Sequence, residues 1–115
     1  ILGLNRAVLA EGLCFAKALG LDPATALEVF QASPAWSQVM ETKGEKMLNA
    51  DFAPQARVAQ HLKDVRVILK VGASARARLP LSELHQSLLQ ELVEAGMGHL
   101  DNSAIIEAFK PASHR

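Results

Sequence analysis

PQARVAQHLKDVRVILKVG, residues 54–72, is the stretch whose reading decides the fold. Its residues Val58, Leu62, Val65, Leu69 and Gly72 step by four, three, four and three, which lays a single apolar stripe along a helix. Strict alternation, the signature of a half-buried strand, occurs nowhere in the chain. Tyr is absent and aromatics make up only 4% of the residues, so strands have little material to form from. The chain therefore reads as helical throughout.

Toward the C-terminus, Ala73 to Leu79 reads as a connector, and Pro80 opens another helix with a stripe of Leu81, Leu84, Leu88 and Leu92, widened by Leu89 and Val93. Gly96 and Gly98 end it. Asp101, Asn102 and Ser103 are all good caps for a short final helix over Ala104 to Phe109, stopping before Pro111, and the tail to Arg115 is expected to fray. Toward the N-terminus, a first helix is expected from Leu2 to Leu19, closed by Gly20 in the left-handed conformation. Asp22-Pro23 then caps and starts a second helix running to about Ala32. Ser33-Pro34 repeats that grammar, and with Gly44 as an interruption the segment carrying Trp36, Val39, Met40, Met47 and Leu48 is expected to form two short helices.

The first helix has apolar residues on nearly every side, at Leu2, Leu4, Val8, Leu9, Leu13, Cys14, Phe15 and Leu19. A helix of this kind has to be surrounded. One small bundle does not supply neighbours on all sides, so a second subunit or a further domain is expected to cover part of it.

With 115 residues, half of them hydrophobic and 21% charged, the chain suffices for one domain and one core. Twelve basic residues balance twelve acidic ones, so no net field draws the chain to phosphate backbones or an anionic bilayer, which disfavours nucleic acid. Asn5, Arg6, Glu11 and Lys17 interrupt the one long apolar stretch, which disfavours a membrane span. The lone Cys14 fits a reducing, cytoplasmic setting.

Chemistry is sparse. The histidines at 61, 85, 99 and 114 stand on separate elements with no i,i+4 pair, so they read as solvated surface and no metal is expected. No glycine-rich phosphate loop and no nucleophile elbow is present. Arg6 and Glu11 lie near opposite sides of the apolar first helix, so at least one is expected to be buried with a partner, most simply as a structural ion pair. Lys63 and Asp64 are adjacent on the long helix and point about 100° apart, which by itself describes an ordinary solvated face.

Four segments, LAEGLCFAKALGLDP (9–23), HLKDVRVIL (61–69), LPLSELHQSLLQELVEAGMG (79–98) and LDNSAIIEAF (100–109), occur in the order and spacing of the β-hydroxyacid dehydrogenases. The chain resembles the C-terminal domain of that family, whose members include 3-hydroxyisobutyrate dehydrogenase, tartronate semialdehyde reductase and threonate dehydrogenase. The resemblance implies an all-α bundle of about six helices, similar to the C-terminal domain of 6-phosphogluconate dehydrogenase. It further implies an NAD(P)-dependent oxidoreductase that interconverts a β-hydroxyacid and its semialdehyde or keto acid, with a preceding Rossmann domain for NAD or NADP and a homodimer or higher assembly. Under it, Lys63 matches the lysine beside the nicotinamide end of the cofactor, where it also meets substrate, and Asp64 matches the acidic residue lining the substrate pocket.

The family's general-acid lysine and helper asparagine would fall upstream of Ile1, by register with Glu11. This chain alone is therefore expected to be silent, and Asn5 sits too far along the helix to substitute. Many members carry Phe where this sequence has Ala56, eight residues before Asp64, which leans toward a longer or more polar acid of the threonate type. The Asp101-Asn102-Ser103-Ala104 stretch reads as capping and packing. The alternative is a stand-alone helical dimerisation or interaction module without catalysis.

Overall fold

The computed structural model describes residues 1–111, so His114 and the end of the tail lie outside the described residues. Five α-helices succeed one another: α1 (Leu2–Ala18), α2 (Pro23–Gln31), α3 (Gln38–Leu48), α4 (Val58–Ser74) and α5 (Pro80–Glu94). A closing 3-10 helix, Asn102–Phe109, completes the chain. Among the described residues there is no strand, as the absence of alternation implies.

The helix ends obey backbone hydrogen-bond chemistry. Gly20 (φ +83) ends α1, with Gly20 N–H donating to Lys17 O and Leu21 N–H to Ala16 O, both at 3.0 Å. Asp22 caps α2 by accepting from the Thr25 backbone N–H at 3.3 Å and from the Thr25 hydroxyl at 2.8 Å. Asp22→Ala is expected to lower stability by about 1 kcal/mol, seen as a lower urea midpoint at unchanged slope.

Four expectations need correction. The two short helices around Gly44 are one helix, α3, that begins only at Gln38; Ser33-Pro34 forms a turn in which the Ser33 hydroxyl accepts from Ala35 N–H at 3.1 Å. Gly44 does not break the helix, because Leu27 of α2 packs onto it: a Cβ there would stand 2.8 Å from Leu27 Cδ2. The long helix starts at Val58 rather than Pro54, since the backbone N–H groups of Gln55 and Ala56 turn away to Asp101. On α5 the buried face is His85, Leu89 and Leu92, while Leu81 and Leu84 are 65% and 59% exposed. Packing on α4 rotates the expected stripe so that His85 is buried in place of Leu81 and Leu84. The final helix is 3-10 rather than α and starts two residues earlier, because the Asp101 carboxylate caps the Ser103 N–H.

The core gathers Leu9, Ala10 and Leu13 of α1, Val39 and Met47 of α3, Val58, Leu62 and Val65 of α4, Leu89 and Leu92 of α5, and Ile105 of the closing helix. Each fully buried leucine or isoleucine contributes about 2 kcal/mol. Helix α4 packs chiefly against α5, and α1 against the closing helix, α3 and α2. The opposite side of α1 is uncovered, with Val8, Phe15 and Leu19 between 60% and 69% exposed. Its own chain thus encloses only part of the helix. No helix among the described residues is long and apolar enough to cross a membrane.

Candidate functional site

Burial of Val58, Leu62 and Val65 fixes the rotation of α4 and turns Lys63 and Asp64 outward, where both are exposed. Lys63 makes no hydrogen bond or ion pair among the described residues, and Asp64 only accepts at 3.4 Å from the Gln60 amide one turn earlier. The two side chains splay from the helix without pairing, as their spacing requires. Their free donors and acceptors are available to an incoming molecule.

The segment leading into α4 is held from below by Asp101, which is completely buried. Its Oδ1 accepts from Gln55 N–H at 2.9 Å and Ala56 N–H at 3.2 Å, and its Oδ2 from Ser103 N–H at 3.0 Å and the Ser103 hydroxyl at 2.6 Å. Lys43 of α3 completes the set, its ammonium 3.0 Å from Oδ2 and 3.1 Å from Oδ1. Burial alone would raise the Asp101 pKa. The hydrogen bonds from Ser103, Gln55 and Lys43 outweigh it and hold the carboxyl well below the usual carboxylate range. Beside it, Val58 N–H donates to Leu100 O and Asn102 N–H to Ala56 O, at 2.9 and 2.7 Å. Ala56 is thereby fixed at the foot of the helix that carries Lys63 and Asp64.

A second polar cluster lies on the inner side of α4. His61 and His85 bring their rings to 5.0 Å between centroids, against Gly3 of α1, where a Cβ would collide with His61 Nε2. His85 is buried and His61 half-buried, which overturns the solvated-surface reading for both; His99 is exposed. Burial pushes both pKa values down, and each ring is also opposed by Arg6; His85 falls to about 4. Among the described residues no set of three or more His, Cys, Asp or Glu side chains is placed to hold a metal.

Arg6 is buried on the same face of α1, one turn after Gly3, and burial lowers its pKa, partly offset by Asp101. Its Nε and Nη1 have no hydrogen-bond partner, and His61 Nε2 has none either. The expectation that one of Arg6 and Glu11 is buried holds for Arg6, but no ion-pair partner of it is found among the described residues, and Glu11 is exposed.

The Lys43–Asp101 pair does not announce itself in the sequence, and of the Arg6 cluster only Arg6 does. The first joins residues 58 apart, and the second joins three helices at positions where an apolar residue would suit the pattern as well. Two clefts flank α1, one of about 990 Å³ lined by Cys14, Phe15, Met47, Ile106 and Phe109, the other of about 330 Å³ beside Phe30 and Trp36. Neither includes Lys63 or Asp64.

Comparison with known proteins shows the family of the chain. The chain is 30% identical over 116 residues to 2-hydroxy-3-oxopropionate reductase of Escherichia coli (strain K12), spanning all of this chain and 40% of the relative. It is 32% identical over 111 residues to 2-(hydroxymethyl)glutarate dehydrogenase of Eubacterium barkeri, spanning 96% of this chain and 37% of the relative. The chain thus spans about two fifths of the length of these relatives. Its fold superposes on 3-hydroxyisobutyrate dehydrogenase from Salmonella typhimurium with a TM-score of 0.88 at 24% identity, over 93% of this chain and 38% of that one. The Mycobacterium tuberculosis 3-hydroxyisobutyrate dehydrogenase gives a TM-score of 0.84 at 22% identity, over 96% of this chain and 40% of that one. Residues 1–109 match the family described as NAD-binding of NADP-dependent 3-hydroxyisobutyrate dehydrogenase, and the chain belongs to that family.

Proposed function

We propose that this chain is the helical substrate-cleft lobe of an NAD(P)-dependent oxidoreductase that interconverts a β-hydroxyacid and its semialdehyde or keto acid by hydride transfer. The observation that carries this is the outward pair Lys63 and Asp64, exposed side by side on a helix whose foot is clamped by a buried ion pair. In the proposed enzyme a nucleotide-binding Rossmann domain precedes the helical lobe and supplies the general acid. The names of the relatives and the share of their length that the chain spans support that arrangement.

An unpaired ammonium at Lys63 fits a phosphate or a carboxylate, so the lysine would hold the nicotinamide end of the cofactor and the substrate acid. The Asp64 carboxylate would accept from a substrate hydroxyl. The bound dinucleotide supplies the hydride. The chain has no glycine-rich turn to cradle a pyrophosphate, so cofactor affinity would reside mainly in the other domain. The uncovered side of α1 would lie against that domain or a second copy in a cytoplasmic homodimer or higher assembly.

The test is to express the complete reading frame and assay hydroxyacids of increasing length with NAD and NADP. Lys63→Ala is expected to lower kcat/KM about 100-fold, with Asp64→Asn lowering it less. A full-length enzyme indifferent to both substitutions would remove the pair from the site.

A further inference from the structure

Arg6 is a buried cation whose nearest anionic group is already engaged. Asp101 is the acidic group that acts on it electrostatically, but the Asp101 oxygens are taken by Lys43, Gln55, Ala56 and Ser103. Arg6 is only 6% exposed, and two of its donor nitrogens have no partner within the described chain. A guanidinium in that state is costly, because removal from water is offset only in part by the engaged Asp101. The unpartnered, buried His61 Nε2 stands in the same cluster.

We propose that Arg6 and His61, enclosed by His85 and the bare backbone of Gly3, form a binding site for one small carboxylate anion. Charge selects the ligand class. A metal cation is repelled by Arg6, and a phosphate dianion would bring two negative charges into a buried place that holds one fixed positive charge. A carboxylate monoanion matches Arg6 in charge and offers oxygens to the guanidinium and to an imidazole N–H.

The site couples to pH. Within the helical lobe the groups facing the two rings are Arg6 from α1 and Asp64 from α4, with each ring also facing the other; Asp101, at the start of the closing helix, faces Arg6. Burial first, and then the positive charge of Arg6, disfavour protonation of both rings. A bound anion reverses part of that field and favours their protonation, so by linkage carboxylate affinity rises as pH falls.

The experiment uses the chain itself and no activity. Sodium acetate is titrated into ¹⁵N-labelled protein at pH 7.5 and pH 6, with sodium chloride at the same ionic strength as the parallel arm, and the Arg6 Nε–H and imidazole resonances are followed. The expected result is a saturable shift with a Kd of about 1–10 mM, an ordinary value for so small a ligand, tighter by several-fold at pH 6. In thermal unfolding, acetate is expected to raise the midpoint of the wild type saturably but not that of Arg6→Met or His61→Leu. If either variant fails to fold, the resonance titration of the wild type decides alone. No saturable shift up to about 100 mM acetate overturns the site. An equal response to chloride overturns the carboxylate assignment. A shift that tracks protein concentration without acetate shows that a second copy's side chain supplies the anion, and overturns the free ligand.

Discussion

Replacing Asp101 with alanine is expected to destabilise the chain by about 4 kcal/mol, a large part of the stability of a domain this size. The loss has two sources. The Lys43 ammonium would remain buried without a counter-charge, and the N–H groups of Gln55, Ala56 and Ser103 would lose their common acceptor. Adding Lys43→Met to Asp101→Ala removes the stranded charge, so the double variant is expected to be more stable than the sum of the two losses predicts. Urea unfolding of the four proteins measures this, and a loss below about 1 kcal/mol for Asp101→Ala would show that the clamp is ornamental. The substitution should also free the 55–57 segment, and with it the foot of the helix that presents Lys63 and Asp64.

That clamp marks where sequence reasoning stops. Asp101 is legible as a cap, because Asp before Asn-Ser-Ala is common helix punctuation, and it does cap Ser103. Its partnership with Lys43 is not legible, since a Lys three residues after Met40 on a polar-looking helix resembles any surface lysine. Punctuation by Gly20, Asp22, Pro23, Pro80 and Gly96 fixed most helix ends, because each acts through its own backbone. The left-handed residues Ala50 (φ 51) and Arg76 (φ 56) end α3 and α4 without such a signal, where the N–H groups of Asp51 and Ala77 turn back to Lys46 O and Gly72 O. The rotation of α5 was beyond periodicity as well: Leu81, Leu84 and Leu88 describe a face as apolar as the one carrying His85, Leu89 and Leu92. Lys63 and Asp64 were placed on exposed positions of the long helix by spacing alone, whereas Arg6, His61 and His85 meet only because three helices cross.

Acidification from pH 7 to pH 4 is expected to cost about 3 kcal/mol through His85 alone at full effect. The folded protein holds this ring at about 4, against an ordinary value of 6.5. Below pH 6.5 the unfolded chain takes up a proton that the folded one resists, so stability falls with pH until the folded ring itself titrates near pH 4, where the decline from this group ends. His61 is shifted in the same direction, chiefly by burial, and steepens the slope. Asp101 acts in a separate, more acidic window: its contribution is intact above the ordinary carboxylate value of 3.8 and disappears only as pH falls toward its depressed folded value. Urea midpoints between pH 7 and pH 4 should therefore fall in the wild type and stay nearly level in a His61→Leu, His85→Leu double variant. Equal slopes in the two proteins would mean that the buried rings are not the source.

Leu27 rests directly on the backbone of α3 at Gly44, with no side chain between them. Such a contact imposes an order on mutational drift. A methyl group at 44 makes the Leu27 side chain shift, so it is accepted more readily after the residue at 27 has become smaller than before. The two positions, although 17 residues apart in the chain, therefore behave as one heritable unit, and a change at either is selected in the context of the other.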